Sequence, residues 1–270
     1  MKRTLAVNAS ILLTDRPLAD RLTAVKSAGF TQVEFWWPFT DATPAEREVE
    51  DFIVSIERSG LELIALNLFA GDMPAGDRGI VSWIGRETEL AASTEVALTI
   101  AHRLGTRHFN ALYGNRQPQQ NPDEQNERAV ANLRTVAHQL ATIGATVLLE
   151  PVSGAPHYPL RTAADVLEVI DRVSAPAGPR NLGLLLDVYH LAVNGDDVPT
   201  VIEQHKDRIK HVQIADAPGR GAPGSGTLPL LEWMQQLRHT GYSGPIALEY
   251  TNSSGDPLAA VNQSAWEGVA

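Results

Sequence analysis

The sequence predicts an α/β fold, a single (β/α)8 TIM barrel, on three observations. Apolar runs and amphipathic segments alternate from end to end of the 270 residues, as in a parallel sheet joined by crossover helices. Eight runs read as strands, several of them continuously apolar as expected for strands covered on both faces. Four of the later runs end in a polar, metal-capable residue: Val147-Leu148-Leu149-Glu150, Leu184-Leu185-Leu186-Asp187, Ile209-Lys210-His211-Val212-Gln213 and Ile246-Ala247-Leu248-Glu249. Such strand ends lie where this barrel builds its active site. Their spacings of 37, 26 and 36 residues fit whole βα units of about 30 residues.

Taken in order, strands are expected near 4–8, 32–36, 62–67, 108–112, 145–150, 181–187, 209–214 and 246–250. Helices fill the gaps at 18–28, 44–59, 86–104, 123–141, 162–173, 198–206, 228–240 and 256–267. Met1-Lys2-Arg3 followed by an apolar run imitates a signal peptide, but Asn8 and Ser10 interrupt that run and no small-residue cleavage site follows, so a first strand is expected. Ala28-Gly29-Phe30 and Ser59-Gly60-Leu61 are matching helix stops. Pro122-Asp123-Glu124 places acid at the positive end of the fourth helix; Val130, Leu133, Ala137 and Leu140 form its apolar stripe, and Gly144 closes it. Thr162 and Asp165 match a capping box ahead of Val166, Leu167, Ile170 and Val173. No linker or low-complexity tract divides the chain, so one domain over 1–270 is expected. The long loops at 68–85 and 215–227 fall on the catalytic face and are candidates for lids or substrate walls.

Composition narrows the function. Lys plus Arg is 22 against 32 Asp plus Glu, a formal charge of −10, and no basic run occurs; this argues against nucleic acid or an anionic membrane as partner. No apolar stretch approaches the ~20 residues needed to span a bilayer. The absence of cysteine removes disulfides, thiol nucleophiles and thiolate zinc sites, and fits a reducing, cytoplasmic setting. The sequence leaves open whether the barrel forms a homo-oligomer.

Glu150, Asp187, Gln213 and Glu249 offer three carboxylates and an amide oxygen, hard donors that suit Mg²⁺ or Mn²⁺. Three carboxylates converging without a cation would repel one another. Any one polar strand end could instead bond a neighbouring loop; four on successive strands are harder to dismiss. With a carbonyl polarised beside a hydroxyl, the adjacent C–H can yield its proton to one carboxylate while a second returns it to the neighbouring carbon, an aldose–ketose isomerisation through an enediolate. Glu150 and Glu249, on strands five and eight, are the natural proton-transfer pair.

These residues resemble the hydroxypyruvate isomerase family of the xylose-isomerase-like barrels. The likeness runs through Ala70-Gly71-Asp72, Asp77-Arg78-Gly79-Ile80, Gly85-Arg86-Glu87, Leu149-Glu150-Pro151-Val152, Leu186-Asp187-Val188-Tyr189-His190, His211-Val212-Gln213-Ile214-Ala215-Asp216, Arg220–Gly226 and Leu248-Glu249-Tyr250, almost the whole chain. Gln213 is the most specific element, because the related ketose 3-epimerases normally place His there. The resemblance implies that Glu150, Asp187, Gln213 and Glu249 hold a divalent metal, that Glu150 and Glu249 move protons, and that the substrate is hydroxypyruvate, tartronate semialdehyde or a slightly longer 2-oxo acid. The chain departs from the family after Glu150, where Pro151–Pro159 replaces a longer Asn-containing segment.

Further substrate-binding candidates surround this set. His190 follows Asp187 by one helical turn and could bond a substrate oxygen. Arg220, in the strand-seven loop, is a candidate clamp for a substrate carboxylate, with Arg78 and Arg86 as competitors. Asn8, Glu34, Asn67 and Asn110 lie near the ends of strands one to four and could line the pocket or bond backbone. Trp36, Trp37 and Phe39 suit a pocket wall, though core packing is the favoured reading. Gly219-Arg220-Gly221-Ala222-Pro223-Gly224 spells a dinucleotide motif, but Pro223 denies it the helix that motif requires. The competing functions are a sugar or sugar-acid epimerase, a dehydratase, a non-catalytic sugar-acid binder, and an abasic-site nuclease. The last needs a histidine-rich zinc site and a basic face.

Overall fold

Alternation along the strands sets the whole architecture. In β1 (Leu5–Asn8), Leu5 and Val7 join the large apolar layer under the helices, while Ala6 belongs to a small separate cluster with Ile64, Ala65 and Ala247. The same period of two continues through β2 (Gln32–Phe35), β3 (Glu62–Asn67), β4 (His108–Asn110), β5 (Thr146–Leu149), β6 (Leu182–Asp187), β7 (Ile209–Ile214) and β8 (Ile246–Leu248). In this computed structural model, which describes residues 5–251, 256–259 and 266, the eight strands pair in parallel in chain order and β8 closes on β1. The predicted barrel is therefore the observed one. Barrel closure leaves no free sheet edge and forces inward and outward side chains to alternate along every strand.

The inward parity at the C-terminal rim is entirely polar. Asn8, Glu34, Asn67, Asn110, Glu150, Asp187, Gln213 and Glu249 each stand at or just beyond the end of one strand, in chain order, and all are buried. Register brings neighbours level, with Asn8 opposite Glu34, Asn67 opposite Asn110 and Asp187 opposite Gln213. Below them the interior holds His108 and His211, stacked at 5.9 Å, and the small residues of the second cluster.

The crossover helices are α1 (Leu18–Ser27), α2 (Glu46–Ser59), α3 (Glu87–Leu104), α4 (Pro122–Ala141), α5 (Ala163–Ser174), α6 (Val188–Asn194), α7 (Val198–His205) and α8 (Leu230–His239). Their caps match local chemistry. Thr162 Oγ1 accepts from Asp165 N at 3.1 Å while Thr162 N donates back at 2.8 Å, the predicted capping box. The fourth helix starts one residue earlier than expected because Asn121 Oδ1 accepts from Asp123 N at 2.8 Å, with Pro122 at its first position.

Two expectations change. The short α6 was not predicted; Asp187 caps it through Oδ1, which accepts from Tyr189 N and His190 N at 2.9 and 3.1 Å, and Gly195 ends it in the left-handed region. The helix expected at 256–267 lies mostly outside the described residues, and 257–259 form a turn. Residues 1–4, the lead into the first strand, also lie outside them. Among the described residues no helix is long and apolar enough to cross a membrane.

Candidate active site

The polar rim opens into a cavity of about 1330 Å³ on the C-terminal face of the barrel. Glu150, Glu249, His190, Arg220, Arg78 and Asn67 all line it. Asn110 does not: its Nδ2 donates to Glu150 Oε2 at 2.7 Å, so it braces a carboxylate from the side. Asn8, Glu34 and Gln213 are tied together in a single buried network.

Glu34 is the centre of that network. Its Oε1 accepts from Asn8 Nδ2 at 2.9 Å and from Gln213 Nε2 at 2.6 Å, and its Oε2 lies 2.6 Å from His211 Nε2. The bond to Gln213 orients that amide, since the –NH₂ must face Glu34 and the carbonyl oxygen must point away. Gln213 Oε1 is then buried with no hydrogen-bond partner among the described residues. Glu249 Oε2 is likewise buried and unpartnered, while its Oε1 accepts from Trp36 Nε1 at 3.1 Å and Arg220 Nη2 at 2.8 Å. Orphaned buried oxygens of this kind carry a desolvation cost of about 1–3 kcal/mol each unless something occupies them.

Asp187 divides its two oxygens. Oδ1 caps α6, leaving Oδ2 for the site, 3.6 Å from His190 Nε2 and 3.5 Å from Arg220 Nη2. His190 Nδ1 accepts from Ser153 N at 3.0 Å and lies 2.7 Å from Ser153 Oγ. A backbone donor at Nδ1 puts the proton of the neutral ring on Nε2. That Nε2–H faces Asp187 and, at 3.7 Å, Glu150 Oε1. Burial holds the His190 pKa down at about 4, with Asp187 opposing, so the ring is neutral near pH 7.

Burial acts in the opposite sense on the two glutamates. It pushes the Glu150 carboxyl up to about 8, with the Asp187 charge adding to the shift and the Asn110 bond opposing it. It raises Glu249 well above the carboxylate range, against the pull of Arg220. Carboxylates crowded and desolvated in this way are stabilised by a cation. Glu150, Asp187 and His190 each offer a ligand atom within 4.8 Å of the others and could hold a metal ion. Gln213 Oε1 and Glu249 Oε2, buried without partners among the described residues, are further oxygen donors, while in the tautomer set by Ser153 the His190 Nε2 proton faces the carboxylates. The residues present thus fit a hard divalent cation.

The family is decided by the match of the xylose isomerase-like TIM barrel model over residues 22–266. The chain belongs to that family. A putative hydroxypyruvate isomerase of Streptomyces coelicolor is 44% identical over 257 residues, covering 94% of this chain and 92% of the relative. The hydroxypyruvate isomerase of Escherichia coli is 30% identical, covering 91% and 92%. Among solved structures, a Brucella melitensis protein described as AP endonuclease, family 2 superposes with a TM-score of 0.85 at 29% identity, over 98% of each chain. The relatives within this barrel family place the chain among isomerases, in its hydroxypyruvate isomerase branch.

Five residues of the site have roles that the sequence alone does not assign. Trp36, Trp37 and Phe39 were favoured as core, yet they line the cavity; Trp37 packs edge-on against Phe39 and Phe69, and Trp36 reaches Glu249. Ser153, which sets the His190 tautomer, carried no sequence signal at all. Glu34 was one of four equivalent rim residues, and only the register of β2 beside β1 and the barrel interior shows it as the hub. Arg220 does reach the cavity, but its guanidinium lies on Glu249 and Asp187 and 5.6 Å over the Tyr189 ring. Its loop is also tied down: Asp216, buried under it, accepts from Ala217, Gly224 and Leu228 backbone amides.

Proposed function

We propose that this chain interconverts hydroxypyruvate and 2-hydroxy-3-oxopropanoate, or a slightly longer 2-oxo acid of the same pattern, with one Mg²⁺ or Mn²⁺ bound. The observation that carries the reading is the pair of buried oxygens without partners among the described residues, Gln213 Oε1 and Glu249 Oε2, together with the carboxylates of Glu150 and Asp187. Glu150, Asp187, Gln213 and Glu249 would hold the ion, which supplies polarisation of the substrate's carbonyl and neighbouring hydroxyl. A cavity of about 1330 Å³ leaves room for more than three carbons.

The chain's own residues then carry the protons. One glutamate takes the proton from the hydroxyl-bearing carbon; the electron pair becomes the C=C bond of an enediolate and the former carbonyl oxygen gains the charge. The other glutamate returns a proton to the carbon that was the carbonyl. The hydroxyl proton passes between the two oxygens, so the product differs only in the position of the carbonyl and no oxidant is required. Glu249 Oε2 has a free lone pair for this task, while Trp36 and Arg220 keep its other oxygen in place. The neutral His190, with its proton on Nε2, can donate to a substrate oxygen without competing for the role of base.

An epimerase of neutral sugars is the second reading, supported by the shared barrel and cavity size. A nuclease is disfavoured by the net charge of −10 and by a site with two histidines, His190 and His211. Turnover of hydroxypyruvate should stop on chelation and return with Mn²⁺, and Glu249→Gln should lose about 10²–10⁴-fold in kcat. Turnover indifferent to both would sink the metal-and-two-glutamate scheme; a preference for uncharged ketoses would replace the substrate.

A further inference from the structure

Four arginines reach the cavity wall, Arg21, Arg78, Arg86 and Arg220, and three of them are already engaged. Arg220 lies on Glu249 and Asp187. Arg86 is closed on the carboxylate of Glu89 through both Nε and Nη2. Arg21 gives Nε, Nη1 and Nη2 to the carbonyls of Arg16, Ala9 and Thr14. Arg78 differs from all three. Only its Nη1 is held, by the carbonyls of Asp77 at 2.7 Å and Met73 at 3.2 Å, and neither neutralises its charge. Its Nε and Nη2, which form the side-on fork that matches a carboxylate, make no hydrogen bond among the described residues.

The backbone holds this arginine firmly. Gly79 follows it at φ +100, and a Cβ there would meet the Leu112 carbonyl at 1.9 Å, so the loop presses directly on the chain leaving β4. Gly79 N donates to Ala70 O and Gly114 N donates to Arg78 O, both at 2.9 Å. Gly71, at φ +82, lets Asp77 approach to where a Cβ would stand 2.5 Å from its Oδ2. The side chain is half-buried on the wall that also carries His190, and its charge is one of those that disfavour a protonated His190.

The geometry points to Arg78, rather than Arg220, as the residue that grips the substrate's carboxylate through Nε and Nη2 and so selects acids over neutral sugars. This rests on the hydroxy-oxo acid reading above. It gives the two arginines separate tasks: Arg220 neutralises and orients the carboxylates that do the chemistry, and Arg78 anchors the charged end of the substrate. A guanidinium already fixed by two carbonyls and a clamped loop loses little side-chain entropy when it binds.

The test compares wild type with Arg78→Gln and Arg78→Lys, each checked for a native thermal melt. Hydroxypyruvate is assayed against dihydroxyacetone, its analogue with a hydroxymethyl group in place of the carboxylate. Binding of glycerate, which cannot react, is measured by calorimetry with Mn²⁺ present. Arg78→Gln should raise the glycerate Kd about 10–100-fold, and lower by a similar factor the ratio of kcat/KM for hydroxypyruvate to that for dihydroxyacetone. Arg78→Lys should restore part of each. An unchanged glycerate Kd overturns the assignment, as does an equal loss on both substrates, which would mark Arg78 as loop support. If wild type binds glycerate through Arg78 without turning over hydroxypyruvate, the proposed reaction falls and the clamp stands. If it does neither, both fall.

Discussion

Gln213 and Glu34 show how one buried contact assigns chemistry to a side chain. An amide at a strand end can face either way; the 2.6 Å bond to Glu34 turns its oxygen away from that carboxylate. Glu34 touches no cavity, yet it would govern metal affinity by holding a ligand in place. Glu34→Gln is expected to weaken Mn²⁺ binding about 10–100-fold, read by calorimetric titration. A titration curve identical to wild type would remove Glu34 from the positioning role. The position of Glu150, Asp187, Gln213 and Glu249 at the barrel rim was legible in the sequence because each follows an apolar run. The work of Ser153, Trp36 and Glu34 was not, since each acts on a partner 37 to 213 positions away.

The elements follow local rules where local rules are strong. Thr162 and Asp165 close a capping box that the sequence spells out, and Thr162→Ala is expected to cost about 1 kcal/mol in chemical unfolding while leaving kcat unchanged. A fall in kcat without a fall in stability would show that α5 does more than cover the barrel. The unpredicted α6 marks the limit of such rules. Seven residues give little periodicity, and Asp187 was read as a ligand without its second role as a cap. That double duty matters for the site, because capping leaves a single oxygen, Oδ2, for the cavity. The strand-seven loop offers the reverse lesson. Its length suits a lid or a substrate wall, but one buried carboxylate, Asp216, gathers three of its amides.

At the scale of the whole molecule, barrel closure takes titratable groups largely out of solvent. Burial, followed by the like charge of His211, lowers the His108 pKa from 6.5 to about 4. The unfolded chain therefore takes up a proton between these values that the folded chain refuses. Stability from this site is complete above pH 6.5 and lost as pH falls toward 4, by at most about 1.4 kcal/mol per unit. Urea midpoints measured from pH 7 to pH 4.5 should fall more steeply for wild type than for His108→Gln; parallel slopes would show that His108 is not the group responsible. By itself the sequence determined the barrel, the order of its strands and the polar residues at its strand ends, because apolar period and strand-end polarity are local and repeat eight times. Only the tertiary structure decided which partners those residues bond. Hydrogen-bond direction, and which arginine is left with unspent donors, depend on neighbours that closure of the barrel brings together from distant parts of the chain.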